Sequence, residues 1–461
     1  MPLGCQPSSN QKSPTCQAGR RSYGQCYLLL GEGCLPGLHH KQCDPHNWYR
    51  QLETLSRGRR CNGRMENLSK SVVALPARNE EGHIEACLRA LDRQEGAQVD
   101  DIILLLNNTT DATAAVARSV PLRPATQLHI VEVTLPPENA NAGYARRCAM
   151  RKAARLAGDH GLILTTDADG MVMPDWLAET QAAIAEGAEA VLGWVALHPE
   201  DRDAIPAALH DADALECAYD ELCDEIHSVL DPDPADPHPR HTQHSGASIA
   251  VAAHAFARCG GVPDVPHSED RALVAALRRV DVRIRHSIDV HVSVSGRTEG
   301  RAVGGMADTI RRRIREPDLY IDDRLERAAD CARRAWARAE ARRCYHGADR
   351  AALARELLLA PAQLDTCLAL PWFGTAWEVI ERQSPALERR LVPVKELSDQ
   401  TMAAKTILQQ LTALNSQTDL APIAPEPLLK ARHIATIWDG FCRLPMRCLH
   451  PTPISEATIT P

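Results

Sequence analysis

The sequence lacks both a long apolar run and a strongly basic balance. No stretch reaches the roughly 18 apolar residues that a membrane-spanning helix needs, and the short run at residues 27–30 is too short for the core of a signal peptide. The 52 lysines and arginines are outnumbered by 60 aspartates and glutamates, giving a net charge of −8. This balance provides no electrostatic attraction for nucleic acid. We therefore expect a soluble, cytoplasmic protein with no transmembrane segment and no nucleic-acid partner.

A glycine-rich phosphate loop is also missing. The loop after the first predicted strand reads Pro-Ala-Arg-Asn-Glu-Glu-Gly, at residues 76–82. Dinucleotide-binding oxidoreductases and methyltransferases carry Gly-x-Gly at this point, so the loop disfavours these classes. The 16 cysteines do not indicate a disulfide framework, because ten of them are scattered over some 400 residues without a secretion signal. They are typical of buried thiols in a reducing compartment.

The chain divides into three parts. Residues 1–66 are polar and show no sustained period, so we expect disorder there. Because Met65 immediately precedes the first patterned segment, one hypothesis is that the natural chain begins at Met65. Residues 67–305 alternate between short apolar runs and helical patterns. Residues 306–461 are helical in pattern and end in a tail rich in proline.

The middle part predicts an α/β fold. Strands are predicted at residues 71–76, 101–106, 128–133, 162–166, 190–197, 245–251 and 283–295, with helices at 83–95, 113–119, 143–157, 214–229 and 269–279. Ser268 is predicted to cap the helix that Glu269 and Asp270 begin. Continuous apolar strands that alternate with helices indicate a mostly parallel sheet covered on both faces. Ligands in such sheets bind at the carboxyl ends of the strands.

Two acids stand at one of these strand ends. Leu164-Thr165-Thr166-Asp167-Ala168-Asp169-Gly170 closes the fourth predicted strand with two carboxylates one residue apart. Aspartate often ends strands because it caps turns. Two such carboxylates can also hold one hard cation, Mn²⁺ or Mg²⁺, together with the oxygens of a diphosphate. A cation so placed would neutralise the charge that builds on a leaving diphosphate.

The order of the motifs resembles the family 2 glycosyltransferases, enzymes of the GT-A fold, over about residues 70–305. The stretches that carry the resemblance are VVALPARNEEGHIEACLRAL, ILLLNNTTDATAAVA, NAGYARRCAMRKAA, ILTTDADGMVMPDWL and SGASIAVAAHAFARCGGVPDVPHSEDRALVAALRR. The resemblance implies transfer of a sugar from a nucleotide-diphosphate sugar to a hydroxyl acceptor, with inversion. It also implies a GT-A domain over residues 67–305.

The resemblance implies roles for individual residues. Asp270 would be the general base, assisted by Glu269, and Asp167 and Asp169 would bind the metal and the donor. Donor contacts are implied for Pro76, Ala77, Arg78, Asn79, Glu80, Asn107, Asp111, Arg146, Arg147 and Asp167. A third metal ligand is implied at His291, in the last predicted strand. Arg297 and Arg301, in a glycine-rich loop, would clamp the diphosphate or an anionic acceptor.

The second nucleotide loop departs from the family pattern. It reads Asn107-Asn108-Thr109-Thr110-Asp111, where the family often has an aspartate first. Asparagine keeps an acceptor oxygen but loses the charge. A UDP-sugar is the first expectation, and GDP- and dTDP-sugars stay open.

Other functions and partners stay open at this stage. A nucleotidyltransferase of related fold and a non-catalytic, nucleotide-sugar-binding scaffold are the alternatives. The acceptor is not identified, and a homodimer and peripheral membrane contact are left open. The proline-rich loop at residues 231–244 carries His238, His241 and His244. A second metal site there stays open, but a loop that gates access of the acceptor is the simpler interpretation.

Overall fold

The computed structural model describes residues 70–265, 267–300 and 305–418. The predicted disordered segment at 1–66 and the proline-rich tail lie outside these ranges. Within them, one sheet contains eight strands: β1 (Ser71–Ala77), β2 (Asp101–Asn107), β3 (Gln127–Val133), β4 (Leu162–Thr165), β5 (Met171–Val172), β6 (Ala190–Leu197), β7 (Ile249–Ala252) and β8 (Ile284–Val294).

The sheet is mostly parallel, as predicted. Its strand order is β3-β2-β1-β4-β7-β6-β8-β5. Strands β1, β2, β3 and β4 pair in parallel, as do β6 and β8. Strand β7 runs antiparallel between β4 and β6, and the short β5 is antiparallel to β8. The continuous apolar runs of β1, β2 and β4 are buried, as expected for strands that are covered on both faces.

Fourteen α-helices are described within these ranges: α1 (Ile84–Asp92), α2 (Thr113–Ser119), α3 (Ala142–Ala157), α4 (Trp176–Ala185), α5 (Pro199–Asp203), α6 (Ala207–Leu230), α7 (Ala253–Arg258), α8 (Glu269–Arg279), α9 (Met306–Arg315), α10 (Ala328–Tyr345), α11 (Ala351–Glu356), α12 (Pro361–Leu368), α13 (Phe373–Gln383) and α14 (Leu397–Thr418). Helices α1, α2 and α4 pack in one core with the sheet. Helices α3, α7 and α8 pack in a second core. The two cores bury both faces of the sheet, which confirms the predicted α/β class.

The C-terminal helices are joined to the region of the sheet through α6. Tyr219 and Ile226 of α6 are fully buried against Ile321, α10 and α14. The Tyr219 hydroxyl donates to the Glu326 carbonyl at 2.6 Å. A further core unites α10, α11, α12 and α13. The predicted helical region after residue 305 is therefore present, and it packs directly against a helix that precedes the predicted boundary.

Two local predictions are wrong, and both lie beside the site. Ser268 has a φ of 56° and makes no capping hydrogen bond, so its left-handed backbone differs from the extended backbone of a typical cap. Strand β7 begins at Ile249 instead of residue 245. Gly246 lies before it, and its backbone groups bond to side chains of the site and not to a neighbouring strand.

Candidate active site

The loops after β1 and β2 are joined by hydrogen bonds at the carboxyl edge of the sheet. The Asn79 side-chain oxygen accepts from the Thr110 amide at 2.8 Å. The Glu80 amide donates to the Thr113 hydroxyl at 2.8 Å, and the Asp111 carboxylate accepts from the Thr113 amide at 3.0 Å. Asn79 has a φ of 56°, a left-handed conformation that asparagine tolerates better than most residues. The two predicted nucleotide loops therefore form one ordered surface, and Asp111 holds that surface together.

The two acids after β4 lie in different surroundings. Asp167 accepts a 2.6 Å hydrogen bond from Nη2 of Arg146. Burial, followed by the charge of Asp167, raises the pKa of Asp169 to about 7, with a further contribution from Glu80. An excess of negative charge therefore surrounds Asp169, and a cation would relieve it.

Arg146 of α3 is the centre of the site and is 4% exposed. Besides Asp167, its guanidinium donates to Glu269 at 2.9 Å and to the Thr165 hydroxyl at 2.8 Å. It also donates to the Gly246 carbonyl at 2.9 Å. A Cβ at Gly246 would lie 2.6 Å from the Arg146 guanidinium carbon, so this position requires glycine. Arg146 thus links α3, β4, α8 and the loop before β7.

Arg297 approaches the same edge from the loop after β8. Its guanidinium donates two hydrogen bonds to the Glu80 carboxylate, at 2.8 and 2.6 Å. The same guanidinium lies 3.0 Å from Asp169. Arg297 is half-buried, with 21% of its side chain exposed, whereas Arg146 is almost fully enclosed. The guanidinium beside Asp169 is therefore the more accessible of the two.

The candidate base is buried in the first turn of α8. Asp270 is 8% exposed and accepts from the Gly246 amide at 3.1 Å and from the Arg271 amide at 2.7 Å. Burial, followed by the charge of Glu269, raises the pKa of Asp270 to about 6. Glu269 is held by Arg146, as described above. A carboxyl with this pKa is ionised at neutral pH and still accepts a proton readily.

The metal site at Asp167 and Asp169 stays a prediction. Among the described residues, no group of three histidine, cysteine or acidic side chains is placed to hold a metal ion. Asp167 and Asp169 supply hard oxygen ligands, which suit Mn²⁺ or Mg²⁺ when a substrate diphosphate completes the shell. The imidazole of His291 bonds to the backbone of Ile288, so its role as a ligand stays a prediction.

The other predicted donor-binding residues are spread along the same edge. Pro76 and Ala77 end β1, and Arg78 follows it. Asn107 is the buried last residue of β2. Arg147 lies beside Arg146 in sequence but forms an ion pair with Asp264 at 2.5 Å, away from the acids. Arg301 lies outside the described residues.

Sequence reasoning missed several groups that shape the site. Thr165 and Gly246 position Arg146, and the His198 imidazole bonds to the backbone of Asp169. Burial lowers the pKa of His198, which keeps this imidazole neutral. A signal was present for Gly246, since a glycine within a strand often marks close approach of other groups. No local pattern indicated His198, because it follows an ordinary strand.

The comparisons with known proteins agree with the motif order. Residues 72–232 match the family model "Glycosyl transferase family 2". No curated protein matches the chain significantly. Among the helices of the described ranges, none has the length and hydropathy to cross a membrane.

Three solved structures have a similar arrangement at low identity. A mannosyltransferase from Pyrobaculum calidifontis, in complex with GDP-Man and Mn²⁺, is 16% identical and covers 80% of this chain and 87% of its own, with a TM-score of 0.36. Glucosyl-3-phosphoglycerate synthase from Mycobacterium tuberculosis, in complex with Mn²⁺, UDP and phosphoglyceric acid, is 18% identical. It covers 57% of this chain and 87% of its own, with a TM-score of 0.34. TarS 1–349 from S. aureus, in complex with UDP-GlcNAc, is 14% identical. It covers 75% of this chain and 92% of its own, with a TM-score of 0.39.

The family match covers the segment that contains both nucleotide loops, Arg146, Asp167 and Asp169. Residues 72–232 therefore match the family 2 glycosyltransferases, and this match supports a nucleotide-sugar-dependent glycosyltransferase.

Proposed function

We propose that this enzyme moves a sugar from a nucleoside-diphosphate donor to a hydroxyl acceptor by direct displacement, with Asp270 as the base. The observation that carries the proposal is the arrangement at the carboxyl edge of the sheet. There, Arg297 joins Asp169 to Glu80 of the first nucleotide loop. Asp270 is linked to Asp167 through Gly246 and Arg146.

The donor would lie along this edge. The nucleoside would contact the surface formed by residues 76–80 and 107–111, and the diphosphate would lie near Asp169 and Arg297. A divalent cation held by Asp167 and Asp169 would supply neutralisation of charge on the diphosphate. Arg297 would exchange its carboxylate partners for diphosphate oxygens, which match the fork of a guanidinium equally well.

Asp270 would accept the proton of the acceptor hydroxyl as its oxygen bonds to the anomeric carbon. The bond between that carbon and the diphosphate oxygen breaks in the same step, and the electron pair leaves with the diphosphate. A single displacement of this kind inverts the anomeric configuration. Arg146 would hold Glu269 and Asp167 in place while this happens. The charge of Glu269 maintains the raised pKa of Asp270.

The test is thermal unfolding with UDP, GDP, dTDP and CDP, each with and without Mn²⁺. A ligand that binds only the folded state raises the melting temperature. We expect one nucleotide to stabilise the wild type when Mn²⁺ is present, and Asp169→Asn to lose most of that shift. Asp159→Asn, which changes an exposed acid in a distant loop, is the matched control and should keep the shift.

Two results would count against the proposal. If none of the nucleotides stabilises the wild type, a non-catalytic scaffold becomes the better interpretation of the domain. If Asp169→Asn and Asp159→Asn keep equal shifts, the nucleotide binds without the acidic pair. Release of free sugar from the stabilising nucleotide's sugar conjugate would separate an active transferase from a scaffold.

A further inference from the structure

The carboxylate of Asp169 already has a cation beside it. Nη2 of Arg297 lies 3.0 Å from an oxygen of Asp169, and across the described ranges no other cation forms an ion pair with this acid. Asp167 is paired with a different guanidinium, that of Arg146. A divalent cation on the two acids would therefore meet the guanidinium of Arg297 at Asp169. Two cations that share one carboxylate repel each other, and partial shielding from water strengthens the repulsion.

Glu80 holds this guanidinium in its position. The Glu80 carboxylate is 5% exposed and accepts two hydrogen bonds from Arg297, at 2.8 and 2.6 Å. One of its oxygens also lies 3.1 Å from Nδ1 of His83. Two parallel hydrogen bonds between a guanidinium and a carboxylate fix the orientation of both groups. The contact with Glu80 therefore keeps Arg297 beside Asp169.

The backbone that carries Arg297 is fixed by α5. The Asp201 carboxylate of that helix accepts from the Ser295 hydroxyl at 2.9 Å and from the Gly296 amide at 2.8 Å. A Cβ at Gly296 would lie 2.9 Å from the Cβ of Asp201, so the chain passes α5 closely. Rotation of the Arg297 side chain alone would therefore exchange its partners, with the end of β8 left in place.

We propose that Arg297 is an internal counter-ion, which keeps a divalent cation away from Asp169 until a nucleoside diphosphate withdraws the guanidinium. The inference rests on the proposed function, which places the cation at Asp167 and Asp169. A diphosphate offers the guanidinium a pair of anionic oxygens, as Glu80 does. Once Arg297 binds the diphosphate, Asp169 is free to hold the cation. The nucleotide and the metal then bind cooperatively, and each strengthens the binding of the other by the same factor.

The test measures binding of Mn²⁺ alone to the full chain, from the electron paramagnetic resonance signal of the free ion. We expect Arg297→Gln to bind Mn²⁺ about tenfold more tightly than the wild type without any nucleotide, because a nearby positive charge is removed. An arginine that only clamps the diphosphate would leave this affinity unchanged. An affinity equal to that of the wild type, or weaker, would therefore overturn the inference.

Two controls show where the metal binds. Arg118→Gln removes one positive charge from a pair with Glu132, in which both side chains are more than half exposed. It should bind Mn²⁺ as the wild type does. Addition of Asp169→Asn to Arg297→Gln should abolish the gain in affinity. A gain that survives this second substitution would place the metal elsewhere and overturn the inference.

A second variant covers the case in which Arg297→Gln does not fold. That substitution leaves the buried carboxylate of Glu80 without its guanidinium, which is destabilising. The double variant Glu80→Gln, Arg297→Gln removes both charges, and circular dichroism would confirm its fold. We expect it to bind Mn²⁺ more tightly than the wild type, by a smaller factor, because one neighbouring carboxylate is lost as well. An affinity at or below that of the wild type would contradict the inference.

The same titration in the presence of the stabilising nucleotide separates the two proposals. The nucleotide should strengthen Mn²⁺ binding more in the wild type than in Arg297→Gln, where the competing cation is already absent. If Mn²⁺ and the nucleotide bind together but Arg297→Gln gains no affinity for Mn²⁺ alone, this inference is wrong and the proposed function stands. If Mn²⁺ binds none of the proteins, with or without a nucleotide, the metal-dependent function fails and the inference fails with it.

Discussion

Substitution of Arg146 by glutamine tests the central link of the site most directly. Arg146 is 4% exposed and holds two carboxylates, Asp167 and Glu269, in addition to the Thr165 hydroxyl and the Gly246 carbonyl. Glutamine can donate from one amide nitrogen, so it cannot serve four acceptors in different directions. The substitution therefore leaves at least one buried carboxylate without its cation.

The magnitude follows from the burial of the partners. Removal of one member of a buried ion pair typically costs 3–5 kcal/mol, because the remaining charge is uncompensated. Asp167 has 37% of its side chain exposed and recovers part of its hydration, whereas Glu269 is only 10% exposed. We therefore expect Arg146→Gln to lower the free energy of unfolding by about 4 kcal/mol, most of it through Glu269.

Arg147 provides a matched control in the same helix. Its partner Asp264 has 68% of its side chain exposed, so the ion pair is a surface pair. Such pairs contribute about 0–1 kcal/mol, and Arg147→Gln should change stability by no more than that. Urea unfolding of both variants, followed by circular dichroism, gives the two free energies. Equal losses in the two variants would refute the view that Arg146 is the electrostatic centre of the site.

Two further substitutions test the base and the glycine beside it. Because burial raises the pKa of Asp270 to about 6 from 3.8, its charge costs about 3 kcal/mol in the folded state. Asp270→Asn should therefore abolish transfer yet stabilise the protein by about 2 kcal/mol, since the amide oxygen can accept from only one of the Gly246 and Arg271 amides. This gain in stability should be present above pH 6 and vanish as the pH falls below 3.8, where the carboxyl of the unfolded wild type is also protonated. A gain that is equal at pH 4 and pH 8 would contradict the assignment. Gly246→Ala should lower the free energy of unfolding by about 1–3 kcal/mol, because the new methyl group meets the Arg146 guanidinium. Gly82→Ala is the control and should change stability little, because no atom lies within 4 Å of the added Cβ. Urea midpoints would measure both variants, and equal losses would argue against the close approach at Gly246.

Much of the sheet was predictable because its strands are uninterrupted apolar runs. The strand predicted at 190–197 and the helices predicted at 113–119 and 269–279 match β6, α2 and α8 residue for residue. The error at β7 has a clear cause. Gly246 lies in a segment that reads as strand, but its amide and carbonyl serve Asp270 and Arg146, which are distant in sequence. A local pattern cannot show that backbone groups are already bonded elsewhere.

Most residues of the site could be predicted from the sequence, but the contacts between them could not. The acids could be picked out because they follow strand ends and because they occupy family motifs. The ion pairs that hold the acids in place could not be predicted, since Arg146 and Glu269 are 123 residues apart, and Arg297 and Glu80 are 217 residues apart.

The two acids of the strand-end motif look equivalent in sequence, but the structure makes them different. Asp167 is held by Arg146, a cation enclosed in the core and bound to three other partners. Asp169 is paired with Arg297, which comes from a loop and is partly exposed. In the proposed reaction, a cation or a diphosphate that enters the site would displace Arg297 and not Arg146, because displacement of Arg146 would break its hydrogen bonds to Glu269 and Thr165. In that reaction, Asp167 would therefore provide a fixed position for the donor, and Asp169 would provide the site at which partners are exchanged.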